Sequence, residues 1–226
     1  KDIKVIQYGS VHPIYSKLQL SVFGDQNLLD ALAAVIAGIE AGMSEADSLL
    51  AIKAYKGAGR RQEFHGEVEG RLLYDDYGHH PREIELTVNS FKKHFPGKRI
   101  ILVFESHTYS RTESLLSEFA KSIALADVPF IMPIFESARE KGVSHKVTPE
   151  SFAREIAKYN SLARELTWEN AATSVWKTSQ PGDIILTMGA GFVYKLQDKF
   201  IKLGDPARSD LAGSVQPDHN RAGGKV

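Results

Sequence analysis

Apolar positions change their spacing several times along the chain. Leu18, Leu20 and Val22 alternate with polar residues, the period of a half-buried strand. Residues 1–23 otherwise read as irregular or β, with Pro13 a breaker. After the turn residues Gly24 and Asp25, Leu28, Leu29, Leu32, Ala33, Val35, Ile36 and Ile39 fall on one broad helical face, which predicts a helix over 27–41 stopped by Gly42. Ser44 is the predicted N-cap of a second helix, with Asp47 three residues on as in a capping box, ending near Tyr55.

The rhythm differs from residue 63 onward. Residues 63–77 predict a hairpin around Glu69-Gly70. Helices follow at 81–94, with Pro81 in the first turn, and at 112–124, 149–159, 170–177 and 192–203. Between them lie apolar strands at 99–104, 128–135, 165–168 and 183–188. Repeated β-α units with buried strands predict an α/β, Rossmann-like, mostly parallel sheet with helices on both faces. The polar, Gly- and Pro-containing stretch 206–226 offers little to bury and predicts a disordered tail. There is no internal repeat.

Composition narrows the function classes. Twenty-eight basic residues balance 28 acidic ones, which argues against a broad electrostatic grip on nucleic acid. Zero cysteine removes disulfides, thiolate nucleophiles and zinc-thiolate sites. No apolar run is long enough to predict a transmembrane helix, and no signal-peptide pattern is present, so a cytoplasmic protein without membrane contact is expected. A start at Lys1 suggests a fragment or a processed chain.

Ligands of parallel sheets sit at the carboxyl ends of the strands, so the segments that follow strands hold the candidate chemistry. Tyr74-Asp75-Asp76-Tyr77-Gly78-His79-His80-Pro81 crowds carboxylates, phenols and imidazoles against a helix N-terminus. A capped turn with solvated histidines would explain one such residue less well as the density rises. Phe104-Glu105-Ser106-His107-Thr108-Tyr109-Ser110-Arg111-Thr112 follows the next strand, and Arg111 has the fork to clamp a carboxylate or phosphate. A surface arginine among helix caps is the structural alternative. Gly189-Ala190-Gly191 follows the last strand; it departs from the dinucleotide fingerprint, and a helix-packing turn explains it as well. Arg60 and Arg61 adjoin a flexible Gly turn at the boundary and suit phosphates, a ribose or a solvated linker. No G-x-x-x-x-G-K-[ST] phosphate loop occurs. Zinc on His79, His80 and His107 is disfavoured because adjacent histidines rarely reach one ion. His12, His65, His94, His145 and His219 are scattered and read as surface or packing residues.

Taken in order, these segments resemble the Mur ligases, and within them the branch that joins L-alanine to UDP-N-acetylmuramate. The likeness rests on Gly24 to Ala34, Gly59-Arg60-Arg61, Asp75-Asp76-Tyr77-Gly78-His79-His80-Pro81, His107-Thr108-Tyr109-Ser110-Arg111-Thr112, Ser137-Ala138-Arg139-Glu140-Lys141, and Gly182-Asp183 through Gly189-Ala190-Gly191. It runs from about residue 18 to 204. The resemblance implies that 1–62 is the end of a central ATP-binding domain, 63–205 the C-terminal Rossmann-like domain, and that a UDP-binding domain and the phosphate loop lie outside the chain. It implies an ATP-dependent amide ligase of peptidoglycan precursor synthesis, with Mg2+ held mostly by the missing central part.

By that resemblance Asn27 contacts adenine, Arg61 or Arg60 the nucleotide, and Asp76 its ribose. Tyr77, His79, His107 and Arg111 line the amino-acid and muramoyl-carboxylate site, with Arg111 on the alanine carboxylate. His80 supports that wall, Thr108 and the turn Gly189, Ala190 and Gly191 adjoin the substrate, and no residue holds a metal. Gln26, Asp30, Glu105, Ser106 and Phe192 depart from the family pattern. Alternatives are a recycling ligase that takes a tripeptide, a non-catalytic nucleotide-binding module, and an NAD-binding domain suggested only by Gly189-Ala190-Gly191.

With no phosphate loop or UDP site in it, the isolated chain is expected to form no amide from ATP, UDP-N-acetylmuramate and L-alanine. Product detected by mass spectrometry would contradict this reading.

Overall fold

The computed structural model describes residues 4–7, 10–13, 18 and 20–204. The chain divides into two compact units, Lys1–Ala58 and Gly59–Val226. In the first, β1 (Lys4–Gln7) and β2 (Ser10–Pro13) pair antiparallel. The alternation at 18–22 does not make a strand: Leu18 and residues 20–22 lie in irregular or bent backbone, while Gln19 is outside the described residues. Alternation alone cannot supply the neighbouring edge a strand needs. Helix α1 (Asp25–Glu40) and helix α2 (Glu45–Ala54) follow, with Ala31 and Val35 buried on the first. Ser44 caps α2 as expected: its hydroxyl accepts from Asp47 N at 3.1 Å and donates to the Asp47 carboxylate at 2.6 Å.

The second unit is a six-stranded sheet. Strands β3 (Glu63–Val68) and β4 (Arg71–Asp76) form the expected antiparallel hairpin. The remaining strands are β5 (Ile100–Phe104), β6 (Val128–Ile131), β7 (Arg164–Glu165) and β8 (Ile184–Met188). Their order is β3-β4-β8-β5-β6-β7, and every pairing beyond the hairpin is parallel. The helices are α3 (Pro81–His94), α4 (Tyr109–Ser114), α5 (Leu116–Ile123), α6 (Pro149–Ala157), α7 (Ala171–Thr178) and α8 (Leu196–Gly204), the last entered through a 3-10 turn, Val193–Lys195.

Strand β5 shows how the sequence builds both faces. All five of its residues are buried, and successive side chains point to opposite sides. Phe104 meets Phe119 of α5 and Phe152 of α6 at ring distances of 5.7 and 6.5 Å. Ile101 and Val103 join the opposite core, with Val175 of α7 and Leu196 and Phe200 of α8. Several expected elements are shorter or divided, among them the strand over 165–168, which is only Arg164–Glu165. Strand β6 ends at Ile131 because Pro133 has no N–H for the ladder. The helix expected over 112–124 is two helices meeting at Leu115, whose φ of −117° leaves the helical region. The predicted tail 206–226 lies outside the described residues.

Replacing Phe104 by Ala removes a ring packed against two others and should destabilise the domain by about 3–5 kcal/mol. Urea unfolding followed by circular dichroism measures this; a loss under about 1 kcal/mol would contradict the packing described.

Candidate functional site

The site forms where β4, β8 and β5 end side by side. At the end of β4, Tyr74 packs into the aromatic cluster of Phe64, Phe91 and Phe95. Period two then turns Asp75 the other way, fully buried. A buried carboxylate needs partners. Arg60 Nε donates to it at 2.8 Å and Thr187 Oγ1 at 2.6 Å, while Gln197 Nε2 donates in turn to Thr187 Oγ1 at 2.8 Å. Burial still holds the Asp75 pKa above its ordinary value despite Thr187 and Arg60.

The same guanidinium reaches the turn after β8. Arg60 Nη2 donates to Gly189 O at 2.5 Å and Nη1 to Gly191 O at 3.4 Å. Its carbon lies 5.1 Å from the Tyr77 ring centre and 4.6 Å from that of Tyr194. Glycine is required at both ends of the turn. A Cβ on Gly189 would collide with the Glu105 carbonyl oxygen and one on Gly191 with the Glu105 carboxyl group, and Gly189 sits at φ +147°.

Asp76 is also buried, and its oxygens accept from Gly78 N at 2.7 Å and Gln62 N at 3.0 Å. Burial pushes its pKa up to about 6, against those two amides and the charge of Arg61. Arg61 is exposed. Thus Arg60 is committed to Asp75 and the turn, and Arg61 is the arginine left open to solvent. Asn27, in the first unit, donates through Nδ2 to Phe23 O at 2.7 Å.

Beyond Asp76 the imidazoles converge. Tyr77 and His79 meet edge to face at 5.4 Å, and His79 and His107 lie 6.2 Å apart. The His107 ring stacks on Phe135 at 4.8 Å and 17°. Sequence reasoning missed Phe135; the only hint was its place just after β6. Backbone pairing fixes this stack: Phe135 N donates to Ser106 O at 2.8 Å, and Thr108 N donates to Phe135 O at 2.9 Å. His80 instead caps α3, its Nδ1 accepting from Arg82 N at 3.3 Å. His145, read as packing, stacks on Tyr109 at 4.4 Å.

Thr108 carries strain, with φ +76° in a β-branched residue. Its conformation is held by Thr112 Oγ1, which donates to Thr108 O at 2.7 Å and pairs with Ser106 Oγ at 2.7 Å. Thr108 gives α4 no side-chain cap. Glu140 does so from the loop after β6: it accepts from Ser110 N at 2.9 Å, Ser110 Oγ at 2.7 Å and Tyr109 N at 3.3 Å. Burial opposes its charge, yet the bonds from Ser110 and Ser137 draw its pKa down to about 2. Glu140 belongs to the Ser137-Ala138-Arg139-Glu140-Lys141 motif, but nothing in the sequence assigned it this partner.

Arg111 rises from α4, and its Nη1 is buried with no hydrogen-bond partner among the described residues. Its charge reaches His107. Burial, then His79 and Arg111, lower the His107 pKa, and Glu140 opposes them. His107 is therefore neutral at pH 7. A neutral imidazole in the field of a guanidinium with an unused donor can accept a proton while that donor takes an anion. Among the described residues no group of three His, Asp or Glu side chains can hold a metal ion, and no helix is long and apolar enough to cross a membrane.

These couplings predict opposite shifts. In an NMR titration His107 should have a midpoint below 6.5; Arg111→Ala should raise it and Glu140→Gln should lower it further. Shifts of the reverse sign would contradict the arrangement.

Comparison with known proteins gives residues 60–191 as a match to the Mur ligase, glutamate ligase domain. The UDP-N-acetylmuramate–L-alanine ligase of Desulfitobacterium hafniense (strain Y51) is 37% identical over 198 residues, 87% of this chain and 43% of that protein. The crystal structure of the UDP-N-acetylmuramate-alanine ligase of Thermotoga maritima has a TM-score of 0.70 at 21% identity, covering 87% of this chain and 42% of that one. A murein peptide ligase from Psychrobacter arcticus has a TM-score of 0.58 at 22% identity, over 86% and 41%. The two structures share the fold, and the chain spans less than half the length of these relatives. The matched span opens at Arg60 and closes at Gly191, the two ends of the clamp that organises the site, and the chain belongs to the Mur ligase family, carrying its C-terminal, glutamate ligase domain.

Proposed function

We propose that the chain is the amino-acid-binding part of an ATP-dependent ligase that joins L-alanine to UDP-N-acetylmuramate in peptidoglycan precursor synthesis. The observation that carries this reading is the buried Nη1 of Arg111, without a hydrogen-bond partner among the described residues, on a guanidinium whose charge acts on His107. A guanidinium and an imidazole together suit an anion and an amine, as an α-amino acid presents them. The 37% identity to a ligase named for L-alanine supports that amino acid over a tripeptide.

In the reaction, a lactyl carboxylate oxygen takes the phosphoryl group supplied by ATP, leaving ADP and an acyl phosphate. The alanine nitrogen then attacks the acyl carbon, the carbon–oxygen bond to phosphate breaks, and phosphate departs. Alanine arrives as an ammonium ion and must lose one proton before attack, which His107 accepts; the second proton leaves the nitrogen as the amide forms and departs with the phosphate. Arg111 holds the alanine carboxylate and so fixes the nitrogen against the acyl carbon. Tyr77 and His79 border the muramoyl carboxylate, with Thr108 and the turn Gly189, Ala190 and Gly191 as the remaining wall, while His80 caps α3 and lines the groove beside it.

The domain reading follows: 1–62 completes a central ATP-binding domain and 63–205 is the C-terminal domain, its partners being the rest of the ligase. Arg61, which is exposed, would hold the nucleotide, with the buried Asp76 behind it; Arg60 would not, being spent on Asp75 and the turn. Among the described residues no three side chains cluster to hold a metal ion, and Mg2+ would be held mostly by the central part of the ligase.

The test is kinetic, on the complete protein that contains this chain. Arg111→Ala removes a charge-assisted bond worth roughly 1.5–3 kcal/mol and should raise the KM for L-alanine about 10- to 100-fold. The KM for ATP should stay within about threefold. An unchanged KM for L-alanine, or turnover of a tripeptide in place of L-alanine, would overturn the proposal.

A further inference from the structure

Glu105 has no part in the mechanism above, yet it is a buried carboxylate packed against the turn 189–191. It is 2% exposed, and it follows β5 two residues before His107. Its Oε2 accepts from Val193 N at 2.6 Å, and its carboxylate also accepts from the Phe192 amide. The carboxyl group fills the space left by the missing side chain of Gly191. Phe192 packs edge-on against Phe135 at 5.6 Å, and Phe135 stacks on His107 at 4.8 Å. A continuous set of contacts therefore leads from the Glu105 carboxylate, through the Phe192 amide and two aromatic rings, to the imidazole.

We propose that Glu105 is a positioning residue, whose ionised carboxylate fixes the entry to the last helix and, through Phe192 and Phe135, the ring of His107. The physical reason is the lining of its pocket. Two backbone N–H groups point at the carboxylate, and an ionised carboxylate satisfies both. A protonated one must place an O–H among donors, which loosens the turn.

The charged groups around Glu105 are few. Arg60 acts on it from the start of the domain and is itself paired with Asp75. The turn 189–191 presents glycine backbone, and the 3-10 turn presents amides, while Lys195 sits over the Phe192 ring at 4.6 Å. Burial outweighs the two amides and Arg60 and pushes the Glu105 pKa up to about 7. The sign follows. The folded protein binds this proton more tightly than the unfolded chain, so Glu105 costs stability as pH rises from about 4.5 to about 7. Over that range stability is exchanged for a fixed turn.

The experiment is a pH titration from 5 to 9 by NMR on the full 226-residue chain and on Glu105→Gln, both checked for folding by circular dichroism. Glutamine keeps the size and one acceptor oxygen but cannot ionise. In the native chain the Phe192 and Val193 amides and the Phe135 ring signals should move together with a midpoint near 7. In Glu105→Gln the movement near 7 should vanish at the amides, and the Phe135 ring should follow only the titration of His107 below 6.5. Amides that stay flat in the native chain, the same transition persisting in Glu105→Gln, or a Phe135 ring that ignores the amide transition would overturn the proposal. No substrate is present, so this result and a failure of alanine ligation are distinguishable.

Discussion

A carboxylate sealed inside a protein is tolerable only where donors surround it, and Asp75 sets that condition for the whole carboxyl edge of the sheet. Arg60 meets it, with Thr187 and Gln197 behind. Because the guanidinium has five donors in a fixed plane, satisfying Asp75 leaves others directed elsewhere. They take the carbonyls of Gly189 and Gly191. One ion pair thus joins the end of β4 to the turn after β8, although the two are far apart in sequence. Such a pair adds little net stability once desolvation is counted, but losing one partner would leave a buried charge.

The remainder of the site inherits this arrangement. The turn cannot carry side chains at Gly189 or Gly191, because Glu105 occupies that space. Glu105 lies directly after β5, so the same strand that forms the sheet centre delivers His107 two residues later. Phe135, just past the short β6, supplies the flat surface against which His107 rests. Glu140, further along that loop, places a carboxylate at the N-terminus of α4, from which Arg111 projects. Four strand ends thereby contribute to one cluster, and each contribution is anchored by backbone hydrogen bonds rather than by loop contacts alone.

Much of the fold was legible in spacing alone. The hairpin, α3 and the buried strands at 100–104 and 184–188 follow directly from apolar periodicity and from Gly and Pro positions. The alternation at 18–22 misled because a period of two describes a face, not a partner. The division at Leu115 escaped because both halves keep a helical pattern. For the site, density of polar residues after strands pointed to Tyr77, His79, His107 and Arg111, and the structure joins the first three by ring contacts and Arg111 by its charge on His107. Roles that depend on long-range pairing were invisible. The pairing of Arg60 could not be read in sequence, because its partner Asp75 is 15 residues away and the carbonyls it reaches about 130. Glu105 stood within the segment after β5 and Phe192 as a departure from a family pattern, neither with a role, and Phe135 had only its place near the end of a strand.

The account stands on one cleft that receives a small zwitterion between His107 and Arg111. Mapping amide and side-chain NMR shifts of this chain during titration with L-alanine tests it most directly. The account predicts saturable changes at Tyr77, His79, His107, Arg111 and the turn 189–191, with none in the groove between α3 and α5 around Arg82 and Lys121. No change at His107 and Arg111 at saturating L-alanine, or changes confined to that groove, would contradict it.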